Sequence, residues 1–596
     1  MNRIKKILNI LSAKEKKGFY LIVIFGIFSS LLDVTGLVSI LPFIAILTNP
    51  DVIQDNHILN NIFLYSQVIG IKNENEFLIL SGFFTFIIFT LTLILRAFLA
   101  YFTARFAAMC QFGLSTRVIS GYLNKPYDWF LNRNSSELGK NILSEVSIVI
   151  STGLIPLLYL IIYITLSIFI LSLLVIIDPL VAILISLIIG FFYFLFFNFF
   201  FKTLKNLSEK RFSSNKWRFN AVSETFAALK EIKLRGIETT LINRFSEPAK
   251  KMAKSQASIV AINKLPRFGV EAITFGGILI ISIFLVFTIK NFSNAMTIIA
   301  LYAFAGYRLM PTFQSIYLNI NLLRTVGPPL NTLYEDISNL KINKKIIEDN
   351  SLLNFDKQIN LKDINYKYST ATKKALEKIN LLIPAGTSIG IAGRTGSGKT
   401  TLIDIILGLL NADQGQIFVD DKKIENVNLR SWQNCIGYVP QQIYLSDDTI
   451  AANIAFGKNE DEINYEKVMK AAKLAEIHEF INSELPLKYQ TKVGERGVRL
   501  SGGQRQRIGI ARALYHDPKV IVMDEATSAL DLETERKIIS SILTLKEKKT
   551  VIFITHQLEA IKEFDRIIIL DKGQIIEDGR YSNLIKSTFF KTQLNN

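Results

Sequence analysis

The stretch Thr387-Ser-Ile-Gly-Ile-Ala-Gly-Arg-Thr-Gly-Ser-Gly-Lys-Thr400, followed by the apolar run Thr401–Leu410, decides the fold of the second half of the chain. Thr387–Ala392 is short and largely apolar, as a buried parallel strand requires. Gly393 to Thr400 then matches G-x-x-x-x-G-K-[ST] between a strand and a helix, the context in which that pattern holds phosphate. Gly393, Gly396 and Gly398 let the backbone turn its N–H groups inward, with Ser397 between them. The start of the helix at Thr400 and Thr401 adds a field that favours anions. Lys399 has the length to reach terminal phosphates, and the Thr400 hydroxyl is placed to ligate Mg²⁺.

Further along, Val520–Met523 and Val551–Ile554 repeat the short apolar pattern, and from Ile359 onward β-rich and helical runs alternate. That alternation predicts an α/β domain. Val520–Met523 ends in Asp524-Glu525. A carboxylate at the end of a buried strand holds Mg²⁺, and its neighbour orients an attacking water. An Asp-Glu pair alone is more often a solvated strand end; the preceding phosphate loop favours the chemical reading.

The first half is different in kind. The chain has 596 residues, 43 Phe against 3 Trp, and a net charge of +17, with a mean hydropathy of +0.30. Residues 1–325 hold 31 Lys and Arg against 16 Asp and Glu; residues 326–596 hold 37 against 35. The basic excess thus lies with the apolar runs, as in a membrane protein with basic cytoplasmic loops, and no nucleic-acid partner is expected. Six runs have the length to cross a bilayer: Tyr20–Leu47, Phe77–Phe102, Ile148–Ile177, Leu180–Phe201, Phe268–Ile289 and Ala295–Ile320. Lys and Arg concentrate before the first run, in Ala104–Ser147 and in Lys202–Arg267, while Asn49–Glu76 carries only Lys72. By the positive-inside rule both termini are cytoplasmic. Leu204, Leu207, Phe212, Phe219, Val222, Phe226 and Leu229 recur at helical steps, so the fourth span is expected to continue into the cytoplasm. Cys110 and Cys435 make neither a disulfide framework nor a metal pair.

Leu500-Ser-Gly-Gly-Gln504, ahead of Asp524, resembles the signature of ATP-binding cassette (ABC) proteins. The resemblance implies a type I ABC exporter: a polytopic helical membrane domain (1–325), a linker (326–355) and an α/β P-loop cassette (356–596). It implies ATP and Mg²⁺ as ligands and ATP hydrolysis coupled to transport. Ser501, Gly502, Gly503 and Gln504 would bind nucleotide. Tyr368, with Tyr366 as the alternative, resembles the adenine-stacking aromatic. Gln441, in Val439-Pro-Gln-Gln442, resembles the glutamine that contacts Mg²⁺ beside Thr400 and Asp524. His556 resembles the switch histidine on the γ-phosphate, Glu525 the catalytic carboxylate, and Asp531 the D-loop aspartate. Val493-Gly-Glu-Arg-Gly497 looks like the extra loop of exporters. One cassette with Glu525, His556 and the signature intact favours a homodimer, each ATP lying between one copy's Lys399 loop and the other's Ser501; a different partner with its own cassette is the alternative.

For the cargo, Leu95-Arg-Ala-Phe-Leu-Ala-Tyr101, Leu265-Pro-Arg-Phe-Gly-Val-Glu271 and Tyr307-Arg-Leu-Met-Pro311 are similar to strings in PglK-type flippases of lipid-linked oligosaccharides. That resemblance implies flipping of a polyprenyl-diphosphate glycan across a bacterial inner membrane. Exporters of lipid A-type lipids, hydrophobic drugs or peptides would share every cassette motif, and an ATP-regulated channel is a further alternative. No cysteine-peptidase domain precedes the first run, which argues against exporters that process bacteriocin leaders. Arg96 and Arg308 fall inside spans, where a charge is expensive and often marks a pathway. Either they hold a diphosphate in a central cavity, or they snorkel or pair with Asp33 and Glu271; for Arg267, near the cytoplasmic surface, the second reading is preferred. The outer segment His57–Ile71 is read either as an interfacial helix touching a lipid tail or as a cap on the first two spans. In the alternating-access mechanism that the resemblance implies, residues near Glu224–Ile232 pass motion from cassette to spans.

Overall fold

The computed structural model describes residues 2–48, 50–68, 70–71, 73–177, 179–288, 292–339, 355–369, 371–545 and 548–585. It divides into two compact units, Met1–Lys125 with Asn132–Ile342, and Pro126–Leu131 with Asn343–Asn596.

In the first unit the six apolar runs lie in long helices, α1 (Ala13–Thr48), α2 (Glu74–Leu123), α3 (Ile155–Ile177), α4 (Pro179–Ala227), α5 (Glu238–Thr288) and α6 (Phe292–Thr325), the third run beginning seven residues ahead of α3. Among the described residues, Ala13–Thr48, Glu74–Leu123, Ser135–Ile177 and Ser186–Ala227 are long and apolar enough to cross a membrane. Asp178, Ile289 and Lys290, expected at turns between runs or at a run's end, lie outside the described residues. α2, α4 and α5 have 50, 49 and 51 residues. At the helical rise such a helix is about 75 Å long, more than twice a bilayer core. The charged halves of these helices therefore extend beyond it, which agrees with the helical spacing of Leu204–Phe226; Leu229 falls in a separate short helix, Leu229–Arg235.

Two short helices close the ends of this unit. Asn2–Ile10 buries Ile7 and Ile10; Arg3 donates to the Arg324 carbonyl at 3.0 Å and Lys6 to Asn331 Oδ1 at 2.7 Å. Residues 327–339, expected as the start of a linker, are thus a helix (Gly327–Asn339) tied to the N-terminus. The outer segment forms His57–Gln67, capped by the Asn56 side chain on the Ile58 and Leu59 amides. Phe63 meets Phe77 edge-on at 5.2 Å beside buried Ile46 and Ile53. One face of this helix therefore does cap α1 and α2, while Ile58, Ile62 and Tyr65 remain exposed.

Before α3 the chain is π-helical at Asn141–Glu145 and Ile150–Leu154. Lys140 and Glu145 are 1% and 0% exposed and 3.5 Å apart. Lys140 lies 4.5 Å over the Phe212 ring and Asn215 donates to Glu145 at 3.4 Å. A buried pair is costly to break because the survivor is left uncompensated. Lys140→Met is expected to cost about 3–5 kcal/mol, and Lys140→Met with Glu145→Gln to recover most of it. Thermal unfolding of both variants checks this.

The second unit holds two sheets. One is antiparallel, order β2-β1-β4-β5, from β1 (Gln358–Tyr366), β2 (Leu376–Pro384), β4 (Gln414–Val419) and β5 (Lys422–Lys423). The other, order β10-β9-β3-β8-β7-β6, contains β3 (Ser388–Gly393), β6 (Ile436–Val439), β7 (Val520–Asp524), β8 (Thr550–Ile554), β9 (Arg566–Asp571) and β10 (Gln574–Gly579). Its five strands from β9 to β6 run parallel, and only β10 is antiparallel. Every residue of β3, β7 and β8 is buried, the reason these strands read as unbroken apolar runs. β3, β8 and β7 are neighbours, so their carboxyl ends bring Gly393, Thr555 and Asp524 together. Ligands of open α/β sheets bind at that edge.

Candidate functional site

Between β3 and α7 (Lys399–Ile406) the loop needs its glycines. Gly396 and Gly398 have φ of +80° and +104°. A Cβ on Gly398 would also stand 2.7 Å from the Ala375 carbonyl. Lys399 is buried and donates to the carbonyls of Gly393 at 2.6 Å and Arg394 at 3.0 Å. Its ammonium is lowered from the ordinary lysine range by burial, against the pull of Glu525 and Asp524. Ser397 Oγ is buried with no hydrogen-bond partner. The orphaned Ser397 hydroxyl and the Lys399 ammonium, held by loop carbonyls, fit a phosphate group, which would satisfy both. Tyr368 Oη lies 3.0 Å from Thr401 Oγ1, whereas Tyr366 is buried. Tyr368, the more exposed of the two rings, meets Tyr366 edge-on at 5.0 Å.

Asp524 ends β7 and is buried. Burial raises its carboxyl, as does Glu525, while Lys399 and His556 lower it. Glu525 begins the turn after β7 with φ +49°. Its Oε2 accepts from Gln441 Nε2 at 2.6 Å, and its Oε1 pairs with His556 Nε2. Gln441, Asp524, Glu525 and His556, distant in sequence, thus converge beside Lys399. Among the described residues no cluster of three or more His, Cys, Asp or Glu side chains stands ready for a metal. A Mg²⁺ held by Thr400, Gln441 and Asp524 would therefore draw further ligands from phosphate oxygens and water.

The signature residues stand on another helix, α8 (Gly502–Tyr515). Ser501 Oγ accepts from the Gln504 amide at 3.1 Å and Gln504 Oε1 from the Ser501 amide at 2.8 Å, a capping box. Gln506 donates to Ser528 Oγ and accepts from the Ala529 amide, fixing this helix to the turn that ends in Asp531. Asp531 in turn caps Leu532–Leu543 through the Thr534 amide at 2.9 Å. The sequence reading overlooked Gln506, although it lies two residues beyond the signature. In Val493–Gly497, Gly494 and Arg496 both have positive φ, +76° and +52°.

Two other features carried no sequence signal. Pro126–Leu131, containing the short helix Tyr127–Leu131, belongs to the second unit although it interrupts the first; Glu224–Ile232 does not. Asp404, on α7 behind Thr400, has its carboxyl raised to about 6 by burial and by Asp524. The unfolded value is near 3.8. The folded state thus binds the proton more tightly and loses stability as pH rises from about 4 to about 6. Asp404→Asn is expected to stabilise the chain by about 1–2 kcal/mol above pH 6, after discounting for partial solvent screening, and to change nothing below pH 4. Melting temperatures across that range without Mg²⁺ test the assignment.

In the first unit, Arg96 donates to Asp33 through Nε at 2.7 Å. Arg308 Nη1 is 3.9 Å from the other oxygen of Asp33, and Arg267 Nε donates to Glu271 at 2.6 Å. The pairing alternative is thus realised for Arg96 and Arg267, while Arg308 stands near Asp33 without a hydrogen bond to it. Asp33 and Arg308 have 5% and 13% of their side chains exposed.

Residues 376–528 match the ABC transporter family model. These residues form an ABC transporter domain. The "ATP-dependent lipid A-core flippase" of Desulfotalea psychrophila is 43% identical over 239 residues, 40% of this chain and 41% of that protein. The homologous flippase of Vibrio vulnificus is 40% identical over 237 residues, 40% of each chain. The "Transport/processing ATP-binding protein ComA" of Streptococcus pneumoniae is 37% identical over 267 residues, 45% of this chain and 36% of that one. The matched part is thus about two fifths of these flippases. In fold, the whole chain is similar to a bacterial Atm1-family ABC exporter with ATP bound: TM-score 0.78, 20% identity, covering 98% of this chain and 99% of that one. The chain has the type I ABC exporter fold, with a helical N-terminal part and a cassette behind it.

Proposed function

We propose that this protein hydrolyses ATP to export an anionic amphipathic lipid across a bacterial inner membrane, working as a homodimer with both termini and the cassette in the cytoplasm. The proposed division is a membrane domain at 1–325, a connecting segment at 326–355 and a cassette at 356–596. The observation that carries the reading is the joining, in one chain, of a complete Lys399–Gln441–Asp524–Glu525–His556 cluster to long apolar helices that bring Arg96 and Arg308 to a buried Asp33. Between the two lipid classes, the relatives support lipid A-type cargo better than a polyprenyl-diphosphate oligosaccharide, which rests on short strings around Arg96, Arg267 and Arg308.

In the proposed reaction Lys399 and the loop amides hold the phosphates, and Tyr368 stacks on the base. Bound Mg²⁺ supplies neutralisation of charge developing on the phosphate oxygens. Gln441 and His556 must first release Glu525, the first turning toward the metal side and the second toward the γ-phosphate. Glu525 then accepts the proton of the attacking water. Ser501 to Gln504 of the second copy would close each site.

Reconstitution in neutral liposomes with lipid A, a polyprenyl-diphosphate glycan or a hydrophobic drug tests the reading. Lipid A is expected to stimulate ATP turnover and to be translocated. Stimulation by the glycan instead would restore the oligosaccharide assignment; stimulation by the drug alone would remove lipid export.

A further inference from the structure

Three helices of the first unit carry a charge at the same depth: Asp33 on α1, Arg96 on α2 and Arg308 on α6. Asp33 is not shared evenly. Arg96 binds Oδ2 through Nε at 2.7 Å and Nη2 at 2.5 Å. The remaining oxygen, Oδ1, is buried without a hydrogen bond. Arg308 stands 3.9 Å from it, beyond hydrogen-bond reach, with its guanidinium 4.8 Å over the Phe89 ring. Among the described residues, no acceptor takes a hydrogen bond from that guanidinium. Arg96 is thus neutralised and Arg308 is not, so the cluster carries one net positive charge.

Phe89 has a second role. It lines an apolar cavity of 390 Å³ together with Phe43, Phe86 and Phe304. The free guanidinium therefore borders a space suited to hydrocarbon. An uncompensated charge among apolar helices is expensive, so a ligand that leaves the site neutral is favoured over one that over- or undershoots.

From this geometry we propose that Asp33 is a specificity residue: by cancelling Arg96 it limits the site to one anionic phosphate group per chain, taken from a lipid headgroup whose hydrocarbon enters the Phe89 cavity. The inference rests on the export reading and adds to it a rule for cargo charge. Arg308 supplies paired N–H groups that match phosphate oxygens. Asp33 itself touches no cargo.

The test uses the full chain in phosphatidylcholine liposomes doped with phosphatidylglycerol, with one negative charge, or lipid A, with two phosphates. The readout is the ratio of the two concentrations giving half-maximal stimulation of ATP turnover. In Asp33→Asn, Arg96 becomes available and the ratio is expected to move about tenfold toward lipid A, equivalent to about 1.4 kcal/mol. Asp33→Glu keeps the charge and is expected to keep the wild-type ratio. Asp33→Asn with Arg96→Gln removes both members of the pair, holds the net charge at one and is expected to keep it too. That double variant also covers the case in which Asp33→Asn alone fails to fold. Inorganic diphosphate added to the bath is expected not to compete. An unchanged ratio in Asp33→Asn, or in the double variant a shift as large as that expected of Asp33→Asn, overturns the charge rule while leaving export standing. Competition by inorganic diphosphate as strong as by lipid overturns the headgroup assignment. Failure of every anionic lipid to stimulate the wild type overturns both this rule and the export reading.

Discussion

Glu525→Gln is expected to lower steady-state ATP turnover by about 10²–10⁴-fold while leaving nucleotide bound. That range is the usual contribution of a positioned general base. The carboxylate sits next to Asp524 at the carboxyl end of β7 and is held by Gln441 Nε2 and His556 Nε2. Glutamine has nearly the same shape, so the turn after β7, with its Glu525 amide bonded to the Ile554 carbonyl at 3.0 Å, is retained. What is lost is the ability to take a proton. Phosphate release measured beside nucleotide retention after gel filtration separates the two effects. Turnover within about threefold of wild type would show that another group accepts the proton, since a lost general base costs far more.

Arg308→Ala is expected to reduce lipid translocation at least about tenfold while basal ATP turnover stays within about twofold, because a lost charge-assisted contact to phosphate is worth 1.5–3 kcal/mol. The choice of Arg308 over Arg96 follows from the geometry. Removing Arg308 leaves Asp33 bonded to Arg96. Removing Arg96 strands a buried carboxylate with one partner at 3.9 Å, at a cost of about 3–5 kcal/mol that would appear as a lower melting temperature. Arg96→Ala is therefore expected to lose both stability and transport, and Arg308→Ala transport alone. Parallel loss of stability in Arg308→Ala would identify it as a structural partner of Asp33 and Phe89, and unchanged translocation would exclude it from the path.

The phosphate loop was legible because its geometry is local. Gly393 to Thr400 sets its own torsions, and the buried strands β3, β7 and β8 show as apolar runs long before they are paired. The long helices were legible for a similar reason: hydropathy and helical spacing act over neighbouring residues. Charge counts in the connecting segments set the expected orientation without any contact being known.

The tertiary structure decided everything that depends on a partner far away in the chain. Asp33 chooses Arg96, 63 residues on, over Arg308 by about 1 Å of distance, and no pattern in either helix encodes that choice. Glu525 meets Gln441, 84 residues earlier, only because β6, β7 and β8 lie side by side. Pro126–Leu131 joins the second unit despite flanks that belong to the first, and Lys140 and Glu145 become a buried pair only once α4 brings Phe212 and Asn215 over them. Sequence spells out torsions, periodicity and charge along the chain. Which side chains share a low-dielectric space, and hence which charges are cancelled and which stay free for a ligand, is set by packing.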